Sequence, residues 1–408
     1  QQFGLSIGRF EGIEEPLARI GALTYVIDAV RLYTCGAVDN GQQPAVVSAI
    51  AKYTTTELSR QIINDGMDIL GGSGICRGPR NLLANIYTAT PISITVEGAN
   101  ILTRTLMIFG QGVIRCHPYL YEEIQALHTG DLKAFDRLFW AHLGSITRNG
   151  CRSLVLNLTR GALVRSPVQG PTATYYRKLA WASATFALLT DIALLSSGGA
   201  LKRKEKLTGR FADILSWQYL AAATLRRFEA EGRPAADLPL VQWSLQYAFA
   251  QMQEGFEGIV SNLEVPGLNL LRAPLLGWLR LNSLGTLPSD RLGSKVAQSL
   301  QAPGQLRDRL TSGIYLPTSE QEALGRLEHT FSLTYGAQAV LKKIKAASQT
   351  GQLPAIKPEQ LVSLAHSTNL ISEEEMALID QATLAQNDVI QVDSFTTEDY
   401  RRVGQPAL

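Results

Sequence analysis

One short segment places a carboxylate directly before a glycine, at the start of a predicted helix, where the carboxylate could act as a catalytic base. It is Thr95-Val96-Glu97-Gly98-Ala99-Asn100, and the side chains at 101, 105, 108 and 109 then recur at helical spacing. Glu97 is therefore expected near the N-terminus of a helix. Most carboxylates in that position only complement the partial positive charge of the helix start. The alternative is that Glu97 is a catalytic base, and the rest of the chain has to decide between the two.

Long amphipathic helices are predicted to position this segment. Ile13, Leu17, Ile20 and Ile27 lie on one face of a helix over residues 11–34. No run of alternating strands is evident, so the predicted fold class is all-α, a helical bundle followed by a second helical region. The other predicted helices lie near residues 44–70, 79–88, 97–110, 118–128, 131–148, 151–164, 172–197, 206–230, 245–259, 319–348, 358–367 and 372–387, the last with Ser372 as its cap.

Composition excludes several classes of function. The 408 residues carry 38 Lys and Arg against 36 Asp and Glu, a net charge of +2 that is too balanced for nucleic-acid binding. The four cysteines are widely spaced, which predicts free thiols in the cytoplasm and no metal site. The adjacent pair Cys116-His117 is interpreted as incidental. No signal peptide and no uninterrupted membrane-spanning run is evident, and the start at Gln1 suggests a processed or truncated protein.

Two further segments stand out by composition. Residues 262–285 are rich in leucine and proline, with Arg272 and Arg280 interrupting the run. The favoured interpretation is a partly irregular segment covering the bundle, and the alternative is peripheral membrane contact. Residues 68–74, Asp-Ile-Leu-Gly-Gly-Ser-Gly, end a predicted helix in glycines. Such a turn lets a phosphate-bearing ligand approach the backbone, although most are simple helix C-caps.

The order of these motifs is more specific than any one of them. Phe3-Gly4, the glycine turn of residues 68–74, the segment Val96–Asn100 and Arg104 follow one another at intervals that resemble the C-terminal helical domain of the acyl-CoA dehydrogenases. Residues 64–72, 91–100 and 108–112 resemble the large bacterial type that acts in fatty-acid β-oxidation. Residues 115–118 and 198–210 resemble the additional helical region of that type. The predicted domains are residues 1–115 and 116–408.

The resemblance implies a flavoprotein that oxidises a medium- or long-chain acyl-CoA to the trans-2-enoyl-CoA and passes electrons to an electron-transfer flavoprotein. Glu97 matches the base that removes the α-proton, and Gly98 leaves room for the substrate. Phe3, Gly71, Gly72 and Gly74 match FAD-contacting positions, the glycines across the interface of a homodimer. The spacing of the cysteines indicates the cytoplasm, and the alternative interpretation of residues 262–285 adds peripheral contact with the inner membrane.

One expectation and two competing hypotheses accompany this interpretation. In the family, most of the flavin pocket comes from domains that precede this region, so the chain alone is expected to be inactive and to bind FAD weakly or not at all. The competing hypotheses are a non-catalytic helical module for protein interaction or membrane association, with Glu97 as a cap, and an acyl-CoA oxidase that uses oxygen directly.

Overall fold

The computed structural model describes residues 5–265, 267–354, 356 and 358–403, and every regular element in them is a helix. The prediction of an all-α fold is confirmed. The α-helices are α1 Glu11–Asp39, α2 Ala45–Leu70, α3 Gly72–Ile75, α4 Ala84–Thr95, α5 Asn100–Leu102, α6 Gly112–Cys116, α7 Leu120–Thr129, α8 Leu132–Thr159, α9 Ala173–Ser197, α10 Glu205–Ala230, α11 Leu238–Asn262, α12 Leu268–Leu281, α13 Asp290–Leu300, α14 Gln305–Leu310, α15 Ala323–Gln349, α16 Pro358–Ser367, α17 Glu373–Val389 and α18 Thr397–Val403. Thr103–Gln111 is a π-helix, and short 3₁₀ helices include Gly198–Arg203.

The chain divides into two compact units. The first consists of residues 1–62 and 90–298, and the second of residues 63–89 and 299–408. The first unit includes residues on both sides of the predicted domain boundary at residue 115, which stays a prediction.

The core of the first unit lies among α1, α10, α11 and the π-helix. Helix α10 packs against each of the other three, because apolar and small side chains recur along it. The Phe109 ring of the π-helix stacks on the Phe211 ring with centroids 4.4 Å apart, and the Phe186 ring meets both edge-on. The buried guanidinium of Arg227 joins α10 to α1 by an ion pair with Asp28.

A second layer of the same unit is formed by α7, α8 and α9. Helix α8 packs against α7 and α9, and α9 also packs against α10. By length and composition alone, Ala173–Arg203 could cross a membrane. This is weak evidence, because the core helix of a soluble protein passes the same test, and α9 has such a buried face on which Trp181 and Ala193 lie.

The second unit is organised by α15 and α17. Ala337, Val340 and Ile344 of α15 pack in one buried cluster with Ile379 and Ala382 of α17. Ser372 caps α17 as predicted. Its hydroxyl accepts from the backbone N–H of Glu375, and the Glu375 carboxylate accepts from the backbone N–H of Ser372.

Several predicted boundaries were wrong. The helix predicted over 79–88 is α4, which begins at Ala84 and continues through Pro91 to Thr95. The helices predicted over 131–148 and 151–164 are the single helix α8. Residues 262–285, predicted to be partly irregular, contain α12 over Leu268–Leu281. Helices α13, α14 and α18 were not predicted.

Candidate active site around Glu97

Glu97 lies in a tight bend between α4 and α5, here called the Glu97 loop (residues 96–99). The helix begins at Asn100, three positions after Glu97, so Glu97 is not in the first helical turn. Its φ is 56° and that of Gly98 is 92°. A positive φ is uncommon for any residue other than glycine and costs free energy. The carboxylate is exposed on this strained backbone.

Helix α2 holds the loop in place. The Lys52 Nζ donates to the Gly98 carbonyl at 2.7 Å and to Asn100 Oδ1 at 2.6 Å. The buried Asn100 amide nitrogen donates in turn to Thr56 Oγ1 at 2.9 Å and to Glu57 Oε1 at 2.7 Å. These contacts fix the backbone on both sides of Ala99, and hydrogen bonds to charged groups are among the stronger ones in proteins. Sequence reasoning did not identify Lys52 as part of this site.

Gly98 is required by the geometry of the bend. Its φ of 92° is one that other residues rarely adopt, and a Cβ atom built there would lie 3.2 Å from Thr103 Oγ1. The Thr103 hydroxyl itself donates to the Gly98 carbonyl at 3.3 Å. The loop is thus held closed by its own next helical turn as well as by α2.

Arg104 anchors the segment that follows the loop. Its guanidinium makes a bidentate ion pair with Asp213 of α10, with Nε 2.7 Å from Oδ1. The hydrogen bond to Asp213 raises the pKa of Arg104 above its ordinary value. The close approach needs Gly209, because a Cβ there would lie 2.8 Å from Nη1 of Arg104. Burial, followed by the Asp213 charge, raises the pKa of the nearby Tyr53 hydroxyl.

The glycine turn lies in the second unit. Gly71 has φ 56° and ψ −129°, a backbone conformation suited to glycine. Gly71 and Gly72 are exposed, and a Cβ on either would meet nothing within 4 Å, so their backbone is open to a ligand. Gly74 is different: it is buried, and a Cβ there would lie 3.2 Å from Leu70 Cβ.

Asn81 organises the glycine turn and was not predicted. Its amide nitrogen donates to the carbonyls of Ser73, Gly74 and Cys76, each at 2.9 Å. Its Oδ1 accepts from the backbone N–H of Ala84 at 2.6 Å, as an N-cap would. An asparagine shortly before an apolar run is the signal that could have identified it. Phe3, the remaining predicted cofactor-binding residue, lies outside the described residues.

Two known protein families match this chain, one over its first quarter and the other over most of the remainder. Residues 114–395 match the family described as acyl-CoA dehydrogenase, C-terminal, bacterial type. Residues 1–108 match the acyl-CoA dehydrogenase C-terminal domain.

A solved structure, an acyl-CoA dehydrogenase complexed with FAD from Bacillus anthracis, matches with a TM-score of 0.57 and 18% identity. The match covers 76% of this chain and 50% of that one, so the chain spans about half the length of this relative. At this identity the similarity supports the fold alone. The family match over residues 114–395, together with that over 1–108, shows that the chain belongs to the acyl-CoA dehydrogenase family.

Proposed function

We propose that this chain is the C-terminal part of an FAD-dependent acyl-CoA dehydrogenase in which Glu97 removes the α-proton of the acyl-CoA. The observation that carries the proposal is the Glu97 loop itself. It presents an exposed carboxylate on a backbone of positive φ, and strained backbone of this kind clusters at active sites. A carboxylate serving only as a helix cap would not need it.

The chemistry explains why a carboxylate is placed there. The proton alpha to a thioester leaves to a base held beside that carbon, and Glu97 takes it up on its carboxylate oxygen. An acyl chain lying over the exposed carboxylate would remove water from it, which strengthens it as a base. The backbone N–H of Glu97 would donate to the thioester oxygen as negative charge develops there. Gly98 leaves space for the substrate beside the base.

The open glycine turn suits a flavin nucleotide. Neither Gly71 nor Gly72 has a side chain, and nothing lies where their Cβ atoms would be, so a diphosphate can approach the backbone closely there. Buried Gly74 supports the turn from within, and Asn81 holds its shape by donating to the carbonyls of Ser73 and Gly74. FAD bound there and completed by a second subunit would accept the hydride that leaves the β-carbon.

Family membership supports the remaining parts of the proposal. The substrate is a medium- or long-chain acyl-CoA of fatty-acid β-oxidation, and the electron acceptor is an electron-transfer flavoprotein. The enzyme works in the cytoplasm as a homodimer.

The decisive experiment is Glu97→Gln in the longest natural form of the protein. The amide keeps the shape of the side chain but cannot accept the proton, so acyl-CoA oxidation should fall by about 10²–10⁴-fold, the usual contribution of a general base. FAD content should be unchanged. Glu122→Gln, an exposed acid in the first turn of α7, is the matched control and should retain full activity. Turnover retained in Glu97→Gln would remove Glu97 as the base.

Two simpler measurements complete the test. Hydrogen peroxide formed in proportion to product would indicate an oxidase rather than a dehydrogenase. The 408-residue chain alone should show no flavin absorbance after purification. Stoichiometric FAD released on its denaturation would contradict that expectation.

A membrane-contact role for α12 is the second candidate, and it also has an observation in its favour. No residue of α12 is buried, and its exposed apolar side chains include Leu270, 86% exposed, and Leu281, 78% exposed. Arg272 and Arg280 lie on the same helix, so it has the composition of a segment that lies on a membrane surface.

Liposome co-sedimentation tests this second candidate. The chain should sediment with anionic vesicles, and a variant with serine in place of Leu275, Leu276 and Trp278 should lose most of that binding. Equal sedimentation of both proteins would exclude membrane contact through α12.

A further inference from the structure

A second group of ionisable side chains lies in the first unit, among α7, α8 and α9. It is here called the histidine cluster and consists of His117, Glu123, His142 and Asp191. The four side chains are 10%, 11%, 14% and 3% exposed, respectively. His117 directly follows α6, and the packing of α8 against α7 and α9 brings the other three to it.

The hydrogen bonds assign the proton on His117. Its Nδ1 accepts from the backbone N–H of Tyr119 at 3.3 Å and of Leu120 at 3.2 Å. A nitrogen that accepts carries no proton, so the ring is neutral with its proton on Nε2. That nitrogen donates to Asp191 Oδ1 at 3.2 Å. The other carboxylate oxygen of Asp191 accepts from Asn149 Nδ2 at 3.3 Å.

His142 is arranged differently. Its Nδ1 lies 2.9 Å from Glu123 Oε1 and 3.2 Å from Oε2, so this nitrogen donates to the carboxylate. The other ring nitrogen, Nε2, is buried and has no hydrogen-bond partner among the described residues. A buried, unpaired imidazole nitrogen is costly unless something occupies it. A histidine that donates one nitrogen to a carboxylate and leaves the other open has the arrangement of metal-binding histidines.

The charges of the cluster also call for a cation. Asp191 and Glu123 are both buried, and in the part of the chain that the structure describes neither forms an ion pair with lysine or arginine. His117 is neutral by its hydrogen bonds, so it does not balance Asp191. Buried carboxylates are normally paired with a cation or coordinate a metal.

We propose that His117, His142 and Asp191 bind a divalent transition-metal ion such as Zn²⁺. One potential ligand atom from each lies within 4.8 Å of the others, and the His117 and His142 ring centroids are 4.7 Å apart. A small inward movement brings three such atoms to the distances of about 2.0–2.2 Å that Zn²⁺ requires. Two imidazoles with one carboxylate favour Zn²⁺, Ni²⁺ or Cu²⁺ over Mg²⁺ or Ca²⁺. Glu123 orients His142 from behind.

The three proposed ligands differ in whether a proton must move before the metal ion binds. His142 Nε2 and the Asp191 carboxylate can bind an ion without moving a proton. His117 must shift its proton from Nε2 to Nδ1, and Nδ1 then loses the two long hydrogen bonds from the backbone. His117 is therefore the weakest of the three ligands. This proposal is independent of the proposed dehydrogenase activity, and it runs against the sequence-based expectation of no metal site.

Isothermal titration with ZnCl₂ tests the site directly. The 408-residue chain is purified with a histidine-free tag, freed of metal with a chelator and titrated. One Zn²⁺ per chain should bind, and MgCl₂ at the same concentration should give no signal. Asp191→Asn and His142→Gln should weaken Zn²⁺ binding by at least about tenfold, and Glu123→Gln by about 10–100-fold. His117→Ala should have a smaller effect than His142→Gln.

The controls separate loss of a ligand from loss of the fold. His142→Gln keeps a donor for Glu123, so circular dichroism and thermal unfolding should match the parent while Zn²⁺ affinity falls. His128→Ala removes an exposed histidine at the end of α7 and should leave binding unchanged. Absence of saturable Zn²⁺ binding, parental affinity in folded His142→Gln, or equal losses in His142→Gln and His128→Ala would each overturn the proposal.

Discussion

The Glu97 loop and the histidine cluster place carboxylates in opposite environments. Glu97 is exposed, and its own backbone has a φ of 56° in a bend. Lys52 of α2 stabilises this bend by donating to the Gly98 carbonyl. Glu123 and Asp191 are buried and carried on regular helices, with histidines as partners. In the loop the free-energy cost lies in the backbone, and in the cluster it lies in the desolvation of charge.

Because of this difference, the carboxylates in the two regions depend on different partners. The carboxylate of Glu97 is exposed, so the proposed role as a base depends on a substrate that covers it. The carboxylates of the cluster have already lost their water when the helices pack, and they depend on the groups around them for compensation. Four substitutions test the contrast, and they follow in order of decreasing effect.

Removing a partner in the cluster should have the largest effect on stability. His142→Ala leaves the Glu123 carboxylate buried without its hydrogen-bond donor and should lower the free energy of unfolding by about 3 kcal/mol in metal-free buffer. Urea denaturation measures this loss. His128→Ala is the control and should change stability by no more than about 0.5 kcal/mol. Similar results for the two variants would mean that burial in the cluster carries no cost.

Lys52→Met tests how the Glu97 loop is held. The change keeps the aliphatic stem but removes the donors to the Gly98 carbonyl and to buried Asn100, so a loss of about 2 kcal/mol is expected in urea denaturation. Lys133→Met, which alters an exposed lysine on α8, should change stability by less than about 0.5 kcal/mol. Equal effects would show that α2 does not support the loop.

Gly98→Ala tests the strain in the bend. The new Cβ would lie 3.2 Å from Thr103 Oγ1 on a backbone with φ of 92°, so a loss of about 1–2 kcal/mol is expected. Gly144→Ala provides the contrast, because Gly144 is inside α8 with open space around it and should gain about 0.5–1 kcal/mol. Thermal unfolding of both variants should therefore shift in opposite directions, and shifts of the same sign would contradict the assignment of strain.

The smallest effect concerns Tyr53, beside the ion pair of Arg104. Burial raises the pKa of its hydroxyl in the folded chain, so the unfolded chain loses this proton first as pH rises past about 10. Stability contributed by the neutral Tyr53 is complete below that pH and is lost above it, by up to about 1.4 kcal/mol per pH unit. Denaturation midpoints between about pH 9 and 11 should fall less steeply in Tyr53→Phe. An unchanged slope would exclude Tyr53 as a source of alkaline destabilisation.

Helix ends that depend on neighbouring residues in the sequence, such as a capping serine, were predicted correctly. Ser372 with acids after it predicted the start of α17, and the predicted end of α9 at residue 197 agrees with the structure. The break expected near Asn149-Gly150 was wrong because Asn149 donates to Asp191 of α9, so tertiary contact keeps α8 continuous. The helix predicted to end at residue 88 continues as α4 to Thr95, with Pro91 inside it. A single sequence does not contain these contacts.

In the candidate site, too, residues in short sequence motifs were identified and residues that act through tertiary contacts were not. Glu97, Gly98 and the glycine turn were identified because they lie in short, ordered motifs, although their roles stay proposals. Lys52 and Asn81 were missed because they act on segments that lie elsewhere in the chain. The histidine cluster could not be predicted, since its members at 117, 123, 142 and 191 meet only when α7, α8 and α9 pack.

The π-helix Thr103–Gln111 has a consequence for insertions and deletions. Its turns are wider than those of an α-helix, so it holds an extra residue between the Glu97 loop and the core contact of Phe109. Deleting one residue there would be absorbed by a return to α-helical winding, which keeps Arg104 and Phe109 facing their present partners. Winding all the residues of this segment as an α-helix would instead turn Arg104 away from Asp213, and the bend that carries Glu97 would lose its anchor. The wider turns thus match the number of residues in this segment to its two fixed contacts.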